Sequence, residues 1–257
     1  MRKSLALGLA FTLATTATLA QSATDTCSIR AGRTDEKLTI NWERGECTTD
    51  HCHHGDSDML WSRWSGITAH DLEREGAAID ARMKADAGEM RCTGTVHDAA
   101  LRGTWSFTPD PAFIKKMEAM GFDSADLTPD RLQTYAMLDI TTDWVKQMKD
   151  AGISELNAHN IVSLKALKID AAYVKGMADA GYPELRAQKL TSMKAVGVTP
   201  QKVQEIRAMG YTPTQEQLIQ MSVFKIDAAF VERIKAHGFQ NPTIAQLIKI
   251  KIFKLDE

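Results

Sequence analysis

The residues best suited to chemistry form one short cluster of cysteines and histidines. It comprises Cys47, His51, Cys52, His53 and His54. Thiolates and imidazoles are the ligands that zinc and copper favour in proteins, so this cluster is a candidate metal site. Its Cys-x4-Cys-His order also permits covalent haem attachment, as a variant of the usual spacing. A third candidate is a surface metal site made by the three histidines alone.

The cysteines also have a redox interpretation. The chain has four cysteines, and an even number in an exported chain favours two disulfides, with three pairings that the sequence leaves open. We prefer Cys47–Cys52 with Cys27–Cys92, because Cys92 is expected in mid-strand and Cys27 could pair with it across a sheet edge. Disulfides are favoured over a metal or haem site because paired cysteines oxidise outside the cytoplasm. No cofactor is therefore expected, with zinc or copper as the alternative.

Known catalytic motifs are absent from the sequence. It contains no His-Glu-x-x-His, no Gly-x-Ser-x-Gly and no glycine-rich phosphate loop. The four remaining histidines are isolated, and each is more typical of a surface or capping residue than of a catalytic base: His70, His97, His159 and His237. The sequence therefore predicts that the protein is not an enzyme.

The N-terminus has the pattern of an export signal. Arg2 and Lys3 precede an uncharged run rich in Ala, Leu and Thr, with small residues near Ala20 or Ser22. Residues 1–22 are therefore predicted to be a secretory signal peptide, and the mature chain to be periplasmic or secreted. A membrane-spanning helix needs about 20 consecutive apolar residues, and no later apolar run is that long. No membrane span is therefore expected after signal cleavage.

The charge balance disfavours nucleic acid as a partner. The chain carries 31 Lys and Arg against 33 Asp and Glu. Residues 23–109 hold 10 basic and 15 acidic residues, and residues 110–257 hold 19 and 18. Neither part has the basic excess that is typical of a nucleic-acid binder.

Residues 23–109 are predicted to form a β-rich, cysteine-containing domain. Apolar and polar residues alternate over 38–42, 79–83, 90–96 and 103–107, with Gly and Asp turns between them. Residues 59–64 are a further candidate strand. Alternation with tight turns predicts an antiparallel meander with one buried face.

A pattern of 28–31 residues is written five times in residues 110–257. In one column, a glycine followed by a bulky apolar residue indicates the end of a helix. These glycines are Gly121, Gly152, Gly181, Gly210 and Gly238. Before each stands an Asp or Thr suited to begin a helix of about ten residues. These caps are Asp110, Thr141 or Thr142, Asp170, Thr199 and Asp227.

A second helix is predicted after each glycine, with caps at Thr128, Asn157, Arg186, Thr214 and Thr243. Two short helices cannot bury their own apolar faces, so the five units are expected to stack. We number them units 1 to 5: about 110–140, 141–169, 170–198, 199–226 and 227–257. The predicted fold class is α+β, mainly α: an N-terminal antiparallel β meander followed by an α-solenoid of five helical hairpins.

One further column lies beside the apolar stripe of the first helices: Phe113, Trp144, Tyr173, Lys202 and Phe230. Its four aromatic members could form a ladder that grips a peptide or a partner helix, which makes them candidate partner-binding residues. The alternative, which we favour, is that they pack between neighbouring units. Lys202 interrupts the column under either interpretation.

Several phrases carry a resemblance to a known family. They include Tyr173-Val174 followed by Ala180-Gly181-Tyr182, Gly197-Val198-Thr199-Pro200, and Gly103-Thr-Trp105-Ser-Phe107. From about residue 77 onward, the chain resembles exported regions of bacterial sensor-transducer proteins of the β-lactam antirepressor metallopeptidase type. The metallopeptidase half of those proteins has no counterpart here, so the resemblance implies an envelope sensing or binding role without peptidase activity.

The sequence thus predicts an exported periplasmic binding or sensing module. Its partner would be a protein or peptide of the envelope, docked on a helical repeat surface. The alternative is a metal-handling protein that uses the cluster from Cys47 to His54.

Overall fold

The computed structural model describes residues 25–48 and 51–254, with side chains described outside residues 44–54. The predicted signal peptide lies outside these residues. The described chain is α+β, with one six-stranded antiparallel sheet followed by ten α-helices. The strands are β1 Thr26–Ala31, β2 Lys37–Thr48, β3 His51–Leu60, β4 Ala78–Ala85, β5 Gly88–His97 and β6 Ala100–Pro109. The helices are α1 Pro111–Ala119, α2 Pro129–Leu138, α3 Thr142–Asp150, α4 Asn160–Ala166, α5 Ala171–Asp179, α6 Ala187–Ala195, α7 Pro200–Ala208, α8 Gln215–Val223, α9 Ala228–Ala236 and α10 Ile244–Phe253.

The sheet is antiparallel, as predicted, but it is not one continuous meander. Its strand order is β3-β2-β1-β6-β5-β4, so two three-stranded meanders meet where β1 pairs with β6. The alternating segments correspond to β2, β4, β5 and β6, whereas β1 was not predicted. Residues 59–64 only end a strand, because β3 stops at Leu60 and residues 61–63 form a 3-10 turn.

A disulfide joins Cys27 of β1 to Cys92 of β5, with their Cα atoms 6.0 Å apart. This pairing was predicted, but the expected geometry was wrong: β6 lies between the two strands. Strands one removed lie about 10 Å apart in a flat sheet, so the sheet must curl at this point. Gly103 of β6 pairs with Cys27 on one side and with Gly94 on the other. Because a Cβ at Gly103 would lie 2.0 Å from a backbone oxygen, the close approach of these strands depends on glycine.

The sheet packs on the first helical pair and shares its apolar core. The indole of Trp105 donates to the side-chain oxygen of Gln133 in α2, at 3.3 Å. The guanidinium of Arg63 donates to the carbonyls of Ala136 and Met137, at 2.7 and 2.8 Å, and so satisfies the C-terminal end of α2. Only Asp110 separates β6 from α1, which keeps the sheet next to the first helical pair.

The first helix of each unit begins where its cap residue predicts. The side chains of Asp110, Thr141, Asp170, Thr199 and Asp227 each accept a first-turn backbone N–H. Among the second helices, Thr214 and Thr243 form complete capping boxes, as their Gln partners predict. Arg186 precedes α6 without a side-chain cap. Asn157 instead caps a turn, and α4 starts only at Asn160.

The five repeated glycines end the first helices, as predicted. Their φ angles lie between 88° and 97°, in the left-handed region where glycine is favoured. The second helices end in a left-handed residue too, which was not predicted. Here only one unit has glycine, and the column is Asp139, Lys168, Gly197, Lys225 and Lys254.

Helices of the same kind contact each other from one unit to the next. The second helices meet in the order α2, α4, α6, α8 and α10, and the first helices α1, α3, α5 and α7 meet likewise. Apolar residues from both sets form the interior of the helical region. No helix in the described part of the chain is long and apolar enough to cross a membrane.

Candidate functional site

The predicted aromatic column lies mostly inside the protein. Phe113, Tyr173 and Phe230 are 3%, 8% and 2% exposed, and Trp144 is half-buried. Each aromatic residue lies in the first turn of its helix, where its backbone N–H donates to the side chain of the cap residue. In unit 3, the Tyr173 N–H donates to Asp170 at 2.7 Å. These positions favour the packing interpretation of the column. Direct contact between the rings and a partner stays a prediction.

A cation covers three of the four rings. The Nζ atom of Lys165 lies 5.0 Å from the ring centroid of Trp144, and that of Lys194 lies 4.4 Å from the centroid of Tyr173. In unit 5, Lys251 covers Phe230 at 4.3 Å. At these distances an ammonium is attracted by the negative face of the ring. A partner approaching from this side therefore meets the lysines before it meets the aromatic rings.

The three covering lysines share one repeat position. Each follows its aromatic residue by 21 positions and lies near the C-terminal end of the second helix. In unit 4 the two residue types are exchanged: Lys202 stands at the aromatic position, and Val223, which is 53% exposed, stands at the lysine position. This pair of positions thus carries one lysine in each of units 2 to 5, which accounts for the interruption at Lys202.

Left-handed lysines add charge at the same helix ends. Lys168, Lys225 and Lys254 follow α4, α8 and α10, and all three are exposed with φ angles of 54°, 53° and 51°. We call this set of residues the basic edge: Lys165, Lys168, Lys194, Lys225, Lys251 and Lys254. Cations are stabilised at a helix C-terminus by the helix dipole, so lysines are well placed at these helix ends.

Neither Lys165 nor Lys194 forms a salt bridge with a carboxylate in the described part of the chain. Burial lowers the pKa of Lys165, with a smaller opposite effect from Asp139 and a further lowering by Arg63. Asp139 itself lies 3.7 Å from the guanidinium of Arg63. Near Lys194, no described carboxylate forms an ion pair with the amine.

Buried hydroxyl groups hold the aromatic rings in place. The Tyr173 hydroxyl donates to the carbonyl of Val198 at 2.9 Å, and the Tyr135 hydroxyl donates to that of Ala158 at 2.5 Å. Burial raises the pKa of Tyr173 to about 12, and it raises that of Tyr135 as well. Both hydroxyls therefore stay protonated donors at neutral pH, and the ring beneath Lys194 is anchored at its far end.

Tyrosines also connect successive units on the loop side. The hydroxyl of Tyr182 donates to the carbonyl of Pro213 at 2.5 Å, and that of Tyr211 donates to Pro242 at 2.9 Å. Each bond joins the residue after a helix-ending glycine to the loop before the second helix of the next unit. The 31-residue separation, repeated in both pairs, is the signal from which sequence reasoning could have found them.

The predicted metal cluster falls outside the described side chains. The side chains of Cys47, His51, Cys52, His53 and His54 are not among them, so this site and the Cys47–Cys52 disulfide stay predictions. Among the side chains that are described, no three His, Cys, Asp or Glu residues are grouped as metal ligands.

The isolated histidines have local partners. His70 and His97 lie 3.1 and 2.8 Å from Glu73 and Glu75, on exposed surface. The ring of His237 lies 2.8 Å from the carbonyl of Arg233, in the last turn of its helix. These contacts agree with surface and capping roles.

Comparison with known proteins adds no family to these observations: no protein-family model, no curated protein and no solved structure matches the chain.

Proposed function

We propose that the chain is an extracytoplasmic binding or sensing module that docks a protein or peptide along its helical units. In this proposal, the five hairpins stack as one α-solenoid, and the curled sheet covers the unit 1 end. The succession of contacts from α2 to α10 supports the stacking. Solenoids offer long surfaces on which an extended partner can lie.

The observation that carries this proposal is the lysine retained at one pair of positions in units 2 to 5. Packing alone requires the rings but not a cation on each of them. The exchange of Lys202 and Val223 keeps a lysine in unit 4 even where the aromatic residue is lost. A charge that recurs with the repeat indicates a surface that meets its partner over several units.

The compartment is also part of the proposal. A buried disulfide between Cys27 and Cys92 is typical of an oxidising environment. The basic start and apolar run of residues 1–22 are typical of a secretory signal. Together they support a periplasmic or secreted location, in keeping with the envelope role that the family resemblance implies.

Site-specific crosslinking in the producing cell tests the proposal. A photoreactive residue replaces Val223, which is exposed beside the basic edge; the control replaces Lys175, which is exposed on the first helix of unit 3. We expect one defined envelope protein or peptide to crosslink at position 223 and not at position 175. Equal products at both positions, products confined to cytoplasmic proteins, or no product at either position would refute the docking role.

A further inference from the structure

We propose that the basic edge binds an extended acidic peptide segment whose carboxylates are spaced about one repeat apart. This inference rests on the proposed function, because it names the chemistry of the docked partner. Lys165 and Lys194 form its centre, since neither ammonium forms a salt bridge with a carboxylate in the described part of the chain.

The arrangement of the lysines favours a linear partner over a single small anion. Covering lysines lie on α4, α6 and α10, whereas α8 carries Val223 at this position. Packed helices are about 8–10 Å apart, so one small anion could reach the lysines of at most two neighbouring units. A peptide in the extended polyproline II conformation advances about 3.1 Å per residue with three residues per turn, so acidic side chains at every third residue lie on one face and repeat about every 9 Å.

The aromatic rings beneath Lys165 and Lys194 order these two side chains before a partner binds. Lys165 and Lys194 are half-buried, with their amines held over Trp144 and Tyr173. A lysine that is already ordered loses less side-chain entropy when it pairs with a carboxylate. Partial burial also reduces solvent screening of the new ion pair. Both effects make these two lysines better carboxylate ligands than freely exposed ones.

The left-handed lysines provide a second, independent observation. Glycine adopts the left-handed conformation of this position without strain, as Gly197 does in unit 3. Lys168, Lys225 and Lys254 instead hold a conformation that disfavours side chains. The carboxylates of Asp170 and Asp227 at the same ends are engaged as helix caps, where they accept the N–H groups of Tyr173 and Phe230. Lys168 and Lys225 therefore lie two residues from carboxylates that already accept backbone N–H groups.

The test uses three synthetic peptides and the full mature chain labelled with 15N. The first is a 15-residue Gly/Ser peptide with Glu at every third position, the second has the same five Glu residues in one block, and the third has Gln in place of Glu. Titrations are followed by NMR at low ionic strength, because salt screens exposed charges. We expect the spaced Glu peptide to bind most tightly and to perturb the C-terminal ends of α4 and α6.

Two double variants separate site binding from general charge attraction. Lys165→Met with Lys194→Met keeps an unbranched cover on each ring and removes both charges. It should weaken the spaced peptide about fivefold, as expected for two half-exposed ion pairs. Lys115→Met with Lys175→Met removes the same charge from exposed positions on first helices and should leave binding unchanged.

Three results would overturn the inference. They are equal weakening by both variants, equal binding of the spaced and blocked peptides, and binding of anionic lipid vesicles without binding of any peptide. The proposed function can survive such a failure: a partner crosslinked at position 223 whose capture does not depend on Lys165 and Lys194 would retain the docking role and exclude the acidic peptide.

Discussion

The amine of Lys194 lies 4.4 Å above the ring of Tyr173, whose hydroxyl donates to the carbonyl of Val198 at 2.9 Å. One side chain thereby connects both helices of unit 3 to the segment that leads into unit 4. The ring is buried and the lysine is half-buried. A residue of the core and a charged residue of the surface are therefore in direct contact.

The Lys194–Tyr173 contact should appear as a coupling energy. We expect the double-mutant cycle of Lys194→Met and Tyr173→Leu to show about 0.5–1 kcal/mol of interaction, the usual size of a partly exposed cation–aromatic contact. Urea unfolding of the four proteins measures it. The same cycle with Lys115→Met should show no coupling, since Lys115 lies in unit 1. Equal coupling in both cycles would mean that the contact has no energetic role.

High pH should destabilise the fold through its buried tyrosines. The folded pKa of Tyr173 is about 12, above the ordinary value of 10.0. The unfolded chain therefore loses this proton first, so its contribution is complete below pH 10 and declines between pH 10 and 12. We expect the free energy of unfolding to fall over this range, and to fall less in Tyr173→Phe. Identical pH profiles for the two proteins would contradict this assignment, because lysine titration is common to both.

The Cys27–Cys92 bridge should contribute strongly to stability. It closes a sequence separation of 65 residues, for which loop entropy predicts about 4 kcal/mol. Replacing both cysteines by alanine should therefore lower the free energy of unfolding by roughly this amount. The intact mass before and after reduction counts the disulfides. Reduction adds the mass of two hydrogens for this bridge alone, and of four if Cys47 and Cys52 are paired as well. Alkylation of Cys27 or Cys92 in the unreduced native protein would contradict the bridge.

The two kinds of left-handed helix end permit a reciprocal exchange. Lys168 and Gly197 occupy the same repeat position, with φ angles of 54° and 75°. We expect Lys168→Gly to stabilise the protein and Gly197→Lys to destabilise it, each by about 1 kcal/mol. Urea unfolding of the two single variants measures both changes. Shifts of the same sign would mean that backbone strain does not set the energy of these positions.

Local features of the helical units could be predicted from the sequence because each depends on a few neighbouring residues. Asp170 caps a helix through an N–H three residues away, and Gly181 ends that helix by its own φ angle. Asn157 was misplaced because its side chain caps a turn before the helix as readily as the helix itself. The position of the lysines over the rings could have been recognised from their constant 21-residue offset.

The sequence by itself thus determined the α+β class of structure and most of the helix starts and ends in residues 110–257, and it favoured Cys27–Cys92 among pairings that it left open. Only the tertiary structure decided the strand order, in which β6 separates the bridged strands, and the burial of the aromatic column under the lysines. The physical reason is range. Caps and helix ends are settled by hydrogen bonds within one turn, whereas sheet order and the surface left to a partner depend on how distant segments pack.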